Sequence, residues 1–256
     1  MSALEQVTPR AGRLLAPNPG PMTLDGTNTW VLREPGEPAC VVVDPGPLDE
    51  GHLCRIADVG PVALIVLTHG HPDHAEGAVR LRELTQAPVV ARDPGLCVAA
   101  EPLVPDGAQE MAGLEWLTVL TPGHSSDSVC FLLRQDRALL TGDTVLGRGT
   151  TVVAHPDGRL GEYLDSLQRL RDLVGQDVDV LLPGHGPVLN SPVDTLDCYL
   201  KHREERLAQV RDAIANGAHD AMDVVRRVYA DVDRVLWSAA EKSVRAQLDY
   251  LNERQT

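Results

Sequence analysis

Residues 63–74 read Ala-Leu-Ile-Val-Leu-Thr-His-Gly-His-Pro-Asp-His. An apolar run of this kind, with no polar face, suits a strand covered on both sides. It runs straight into three imidazoles and a carboxylate, His69, His71, Asp73 and His74. Such groups are poor core material. A buried carboxylate is costly without a partner, and neutral imidazole is a common metal ligand. The fold must therefore bury the strand and open a polar site at its end.

The spacing separates these side chains into two sets. In an extended strand exit, positions i and i+2 point to one side, so His69 and His71 reach a single ion. Pro72 suits the first turn of a helix, where the dipole also favours the Asp73 carboxylate. Asp73 and His74 diverge from the first pair and serve a second ion. Three more turns follow apolar runs and carry one ligand-type residue each: Thr121-Pro-Gly-His124, Thr141-Gly-Asp143 and Leu182-Pro-Gly-His185. Together they make seven ligand candidates, enough for two zinc-like ions.

The same punctuation runs along the chain. Short apolar runs at 29–32, 40–43, 63–68, 89–91, 117–120, 129–133, 138–141 and 178–182 predict strands, most of them bounded by Gly, Pro or Asp. Stretches 50–59, 75–85 and 161–174 read as helices. Alternation of the two predicts a layered α/β fold. From residue 191 the texture changes, with Pro192 the last proline and helices expected at 193–216, 220–229 and 233–251. The expected organisation is a metal-binding domain over 1–190 and a small helical subdomain over 191–256.

Composition narrows the partners. The net charge is −14 and aromatics make up 3% of 256 residues, which disfavours bulk binding to duplex DNA or anionic lipid. No apolar run is long enough to span a membrane. The opening residues lack a signal-peptide core, and the five cysteines do not form a disulfide framework, so a cytoplasmic setting is expected.

With these motifs in hand, the chain resembles the metallo-β-lactamase superfamily, whose pattern HxHxDH…H…D…H is complete across residues 69–185. The resemblance implies an αββα sandwich with the ligands on loops at one edge. It implies one ion on His69, His71 and His124, another on Asp73, His74 and His185, and Asp143 between them. Two Zn2+ are implied, although this ligand set also suits iron or manganese. The reaction expected is hydrolysis by a hydroxide shared between the ions, which Asp73 would help to orient. Asp143 stands where many zinc β-lactamases carry Cys, which argues against lactams as the native substrate.

A narrower resemblance, to the β-lactamase-like protein 2 branch, rests on residues 18–30 (NPGPMTLDGTNTW), 147–152 (GRGTTV) and 199–203 (YLKHR). That branch includes a single-stranded-RNA endonuclease, and related fungal enzymes are thioesterases. The substrate classes implied are therefore single-stranded RNA or a small ester or thioester. A non-catalytic metal-binding scaffold is the reading from another class, and the complete ligand set opposes it. The three expected tail helices can also resemble a winged-helix module, but a net charge of −2 over residues 191–256 does not favour duplex binding, and structural packing is the expected role. Asn28, Thr150, Thr151 and His202 each have two readings, as local structural residues or as groups facing substrate. His155 reads as a loop residue.

Overall fold

The computed structural model describes residues 4–254, so the outermost residues of the two expected segments lie outside the described residues. Strands β1 (Glu5–Gln6), β2 (Ala11–Leu15), β3 (Asn28–Leu32), β4 (Cys40–Val43), β5 (Val62–Val66) and β6 (Val89–Val90) form one mixed sheet in that order. Strands β7 (Ala108–Met111), β8 (Leu114–Leu120), β9 (Val129–Leu133), β10 (Ala138–Gly142) and β11 (Val180–Pro183) form the second, reversed in order from β11 to β7. Pairing is antiparallel at the start of the first sheet and parallel from β4 to β6. In the second sheet only β10 and β11 are parallel.

The inner strands feed two cores, which explains their unbroken apolar runs. Along β4, Val41 and Val43 point between the sheets, while Cys40 and Val42 point to the outer helices. Along β9, Phe131 and Leu133 face inward, and Cys130 and Leu132 face out. The middle layer joins Trp30 and Leu32 of the first sheet to Leu114, Trp116 and Leu140 of the second. Truncating Phe131 to Ala there would cost about 3–5 kcal/mol.

Helices α1 (Glu50–Ala57) and α3 (Ala78–Thr85) cover the first sheet. Asp49 caps α1, accepting the His52 N–H at 2.7 Å. The helix expected at 75–85 is in fact two: α2 (Pro72–Ala75) and α3, separated at Gly77. A β-carbon there would sit 3.0 Å from the carbonyl oxygens of Gly46 and Pro47. Gly77 thus lets the β4–α1 loop pack against the ligand-bearing turn. The run of helical residues hides this close approach from a reading based on periodicity.

On the other side, α4 (Leu160–Asp177) buries Tyr163, Leu167, Leu170 and Val174, one helical stripe. Helices α5 (Pro192–Ala215), α6 (Ala221–Val228) and α7 (Trp237–Glu253) pack into the same core as α4, through Leu196, Val225 and Val244 among others. The result is the αββα layering with a helical C-terminal region.

Strands β1, β2 and β7 escape the sequence reading. The first and last lie at sheet edges, and β7 (Ala-Gln-Glu-Met) is exposed on alternate residues. Edge strands have no need of apolar runs.

Candidate metal centre

Four strand ends of the two sheets meet at one edge. His69 and His71 follow β5, His124 follows β8, Asp143 follows β10 and His185 follows β11. Asp73 and His74 sit on α2, which starts at Pro72 as the sequence predicts. The structure brings all seven side chains together. One ligand atom each from His69, His71 and His124 lies within 4.8 Å of the others, as do those of His69, His74 and Asp143, and of Asp73, His74 and His185.

The spacing inside these groups is that of ligands round a shared centre. The Nδ1 of His71 is 3.0 Å from the Nε2 of both His69 and His124, and the Nε2 atoms of His74 and His185 are 3.1 Å apart. Nitrogens on one tetrahedral zinc ion stand about 3.3 Å apart, from Zn–N bonds of about 2.0–2.1 Å. Asp143 reaches both halves: Oδ1 is 3.3 Å from His74 Nε2, and Oδ2 is 3.4 Å from His185 Nε2 and 3.7 Å from His124 Nε2. Asp143 Oδ1 is buried without a hydrogen-bond partner among the described residues. A buried lone pair of this kind calls for a cation or a donor.

The opposite edges of four rings are fixed from behind. His74 Nδ1 lies 2.8 Å from the Asp44 carboxylate, and His124 Nδ1 2.9 Å from the Val152 carbonyl. His185 Nδ1 lies 3.2 Å from the Gly26 carbonyl, and His69 Nδ1 3.0 Å from Thr68 Oγ1. Each contact fixes a tautomer and turns the other nitrogen into the site. Asp44 also accepts both the backbone N–H and the hydroxyl of Thr68. It is a site residue the sequence reading missed. Its signal was present: a buried strand, Cys-Val-Val-Val, ending in Asp-Pro-Gly, as the other ligand-bearing strands end in short Gly-containing turns.

The electrostatics show what the cluster demands. Burial holds His69 well below the ordinary imidazole range and lowers His124. Burial also opposes charge on His74 and His185, but neighbouring carboxylates outweigh it, holding His74 well above that range and His185 at about 9. Burial disfavours ionised Asp143, yet His74 and His185 keep it well below the usual carboxylate range. The carboxylates of Asp143, Asp44 and Asp73 thus favour protons on His74 and His185. Divalent cations would supply the same positive charge.

The remaining candidates divide. Asn28 is fully buried, and its amide donates to the carbonyls of Pro183 and Gly186 at 2.9 Å each, clamping the His185 turn. It does not line the cavity beside the cluster, and its two bonds are those of the structural reading. Thr151 is 3% exposed and its hydroxyl donates 2.7 Å to the Asp143 carbonyl, so it holds the ligand loop. Thr150, Thr151 and His202 line a cavity of about 330 Å3 that also takes in His124 and Asp143. His155 pairs with Asp249 of α7 at 2.9 Å and does not line that cavity.

A family model described as the metallo-beta-lactamase superfamily matches residues 22–185, a span that holds all seven converging residues. The chain belongs to the metallo-beta-lactamase superfamily. A second model, the beta-lactamase associated winged helix domain, matches residues 221–256, where the described residues form α6 and α7 and no strand. Within the superfamily the chain is 32% identical to a beta-lactamase-like protein 2 homolog of Caenorhabditis elegans, over 97% of this chain and 86% of that protein. It is 33% identical to an atrochrysone carboxyl ACP thioesterase of Aspergillus fumigatus, over 83% of this chain and 67% of that one. A beta-lactamase domain protein from Burkholderia ambifaria shares the fold with a TM-score of 0.84 at 23% identity, covering 98% of this chain and 88% of the other. Among the described residues no helix is long and apolar enough to cross a membrane.

Proposed function

We propose that this superfamily member is a metal-dependent hydrolase of acyl thioesters whose acyl part is largely apolar. The cavity carries this reading. It joins His124 and Asp143 to a wall built from Leu146, Val232, Leu236 and Ala239. A site of this shape takes an apolar body and presents one reactive carbonyl to the polar end. The name of the Aspergillus relative, an ACP thioesterase, supports the same chemistry.

His69, His71 and His124 would hold one ion, Asp73, His74 and His185 a second, and Asp143 would lie between them. Zinc suits a set of five imidazoles and two carboxylates. When bound, the metal supplies Lewis acidity and a nucleophile at neutral pH. The chain's own residues do the rest. Asp73, 28% exposed on its side chain and 3.1 Å from His185 Nε2, is the carboxylate best open to attacking water, and it would orient that water by accepting a hydrogen bond. Thr151 and Asn28 keep Asp143 and His185 in register. A thiolate leaves without full protonation, because a thiol has a pKa of about 8.5. The site therefore needs no separate strong acid. Buried, unpaired Cys40 and Cys130 accord with a reducing, cytoplasmic setting.

The test is thiol release from acyl thioesters of increasing chain length, beside cleavage of a fluorescent single-stranded RNA, with Asp73→Asn and chelator as controls. Thiol release that both controls abolish supports the proposal. RNA cleavage with the same dependence, and no thiol release, replaces it with the nuclease reading.

A further inference from the structure

The buried stripe of α5 runs Leu196, Tyr199, Arg203, Leu207 and Val210. Four of these are ordinary core residues, and the fifth carries a guanidinium that is 5% exposed. Arg203 Nη2 donates to the Thr151 carbonyl, and its guanidinium carbon stands 4.9 Å from the centre of the Tyr163 ring. Its Nε is sealed from solvent with no partner among the described residues. One turn on, Arg206 lies over the Tyr229 ring at 4.4 Å and, among the described residues, donates only to the Val228 carbonyl and the Gln209 side-chain oxygen. Among the described residues, neither guanidinium has a carboxylate within 4.0 Å. Next to Arg203, the Nδ1 of His202 is also buried without a partner among the described residues.

This is an unusual use of charge. The chain carries 37 Asp and Glu against 23 Lys and Arg, so counter-ions are abundant. A buried cation is disfavoured unless something pairs with it. Arg203, Arg206 and His202 all line the cavity that holds His124 and Asp143. These three side chains therefore share a chamber with the candidate metal centre, between apolar walls.

We infer that this end of the cavity is an anion-binding subsite, in which Arg203, Arg206 and His202 hold a carboxylate on the far end of the acyl group. The substrate is then the thioester of an acid that carries a second, free carboxylate on an apolar body. Guanidinium matches that planar group with paired donors. A polyanion fits less well, since most of the wall is apolar and the chain is acidic. The inference rests on the thioester reading for its substrate, and on the cavity alone for its anion.

Two measurements on the metal-loaded full-length protein test it. The first compares a monothioester of adipic acid with its methyl ester. The free acid is expected to have a kcat/KM about tenfold higher, and Arg206→Met to bring the ratio near one. A structural role for these arginines would lower both rates and leave the ratio unchanged, which would overturn the inference. The second measures binding of octanesulfonate and octan-1-ol by calorimetry, since a sulfonate coordinates metal ions weakly. A sulfonate preference of about tenfold, lost in Arg206→Met and Arg203→Met, supports the subsite even if no thioester is cleaved, and in that case only the thioester reading falls. Equal binding of the two overturns the subsite even if thioesters are cleaved. A stronger response to inorganic phosphate or a short RNA, lost in the same variants, would also overturn it and assign the arginines to phosphate.

Discussion

The Asp44 carboxylate and the His74 imidazole lie 2.8 Å apart behind the ligand cluster, both almost completely sealed from solvent. Asp44 never faces the reacting centre, yet it fixes which nitrogen of His74 does. Asp44→Asn is expected to weaken metal binding by about 10–100-fold, as loss of such a supporting contact does elsewhere. Competition with a chromophoric chelator measures this. Unchanged affinity would make Asp44 a support for Thr68 alone.

Asp143 touches both halves of the cluster. Asp143→Ala is expected to lower bound metal from about two ions toward one or none, read by elemental analysis. Full occupancy in that variant would remove Asp143 from the ligand set.

Asn28 ties β3 to the turn after β11, joining the two sheets beside His185. Asn28→Ala is expected to cost about 2 kcal/mol, because two buried carbonyls lose their donor. At this chain length that lowers Tm by about 4–8 °C. The loss should appear with and without chelator. A change in KM at constant Tm would restore Asn28 to the substrate side.

His52 is fully buried, 2.9 Å from Thr29 Oγ1, and burial together with Arg55 pushes it down to about 4. Its ordinary value is about 6.5. Between these values the unfolded chain binds the extra proton, so His52 contributes stability that is present above pH 6.5 and lost as pH falls toward 4. The slope from this one group is at most about 1.4 kcal/mol per pH unit. Urea melts across that window, in chelator, should be flatter for His52→Gln than for the native chain. Equal slopes would show that His52 accepts a proton in place.

Ala239 sits on the apolar wall of the cavity, near the start of α7. Ala239→Leu keeps a good helix former and adds bulk. It is expected to raise KM for long acyl thioesters about tenfold and to spare short ones, on the scale of a few buried methylenes. A uniform change across chain lengths would place the acyl group elsewhere.

Much of this molecule is legible in its sequence because ligands and strands announce themselves locally. His69 to His74 form one uninterrupted word, and β4 and β9 appear at their full length as apolar runs. What stays hidden depends on contacts between distant segments. Asp44 reads as a turn residue until His74 arrives beside it, 30 positions later. Asn28 is equally ambiguous until Gly186 packs against it. Arg203 sits at a core position on α5, and only the neighbours that fail to pair with it show that the position is unusual. The break at Gly77 belongs to the same class, since it answers to the backbone of a loop that precedes it by 30 residues.

Helices α5 to α7 share a core with α4, and α5, α7 and the segment between α6 and α7 also supply one side of the cavity, whereas all seven candidate ligands come from residues 69–185. On the proposed function, the ligands and much of the wall that selects the substrate are written in separate stretches of chain. Changes in the last quarter could redraw which molecules enter while every ligand stays in place. A descendant could acquire a new diet by editing its tail, and its ancestor's chemistry would come along intact.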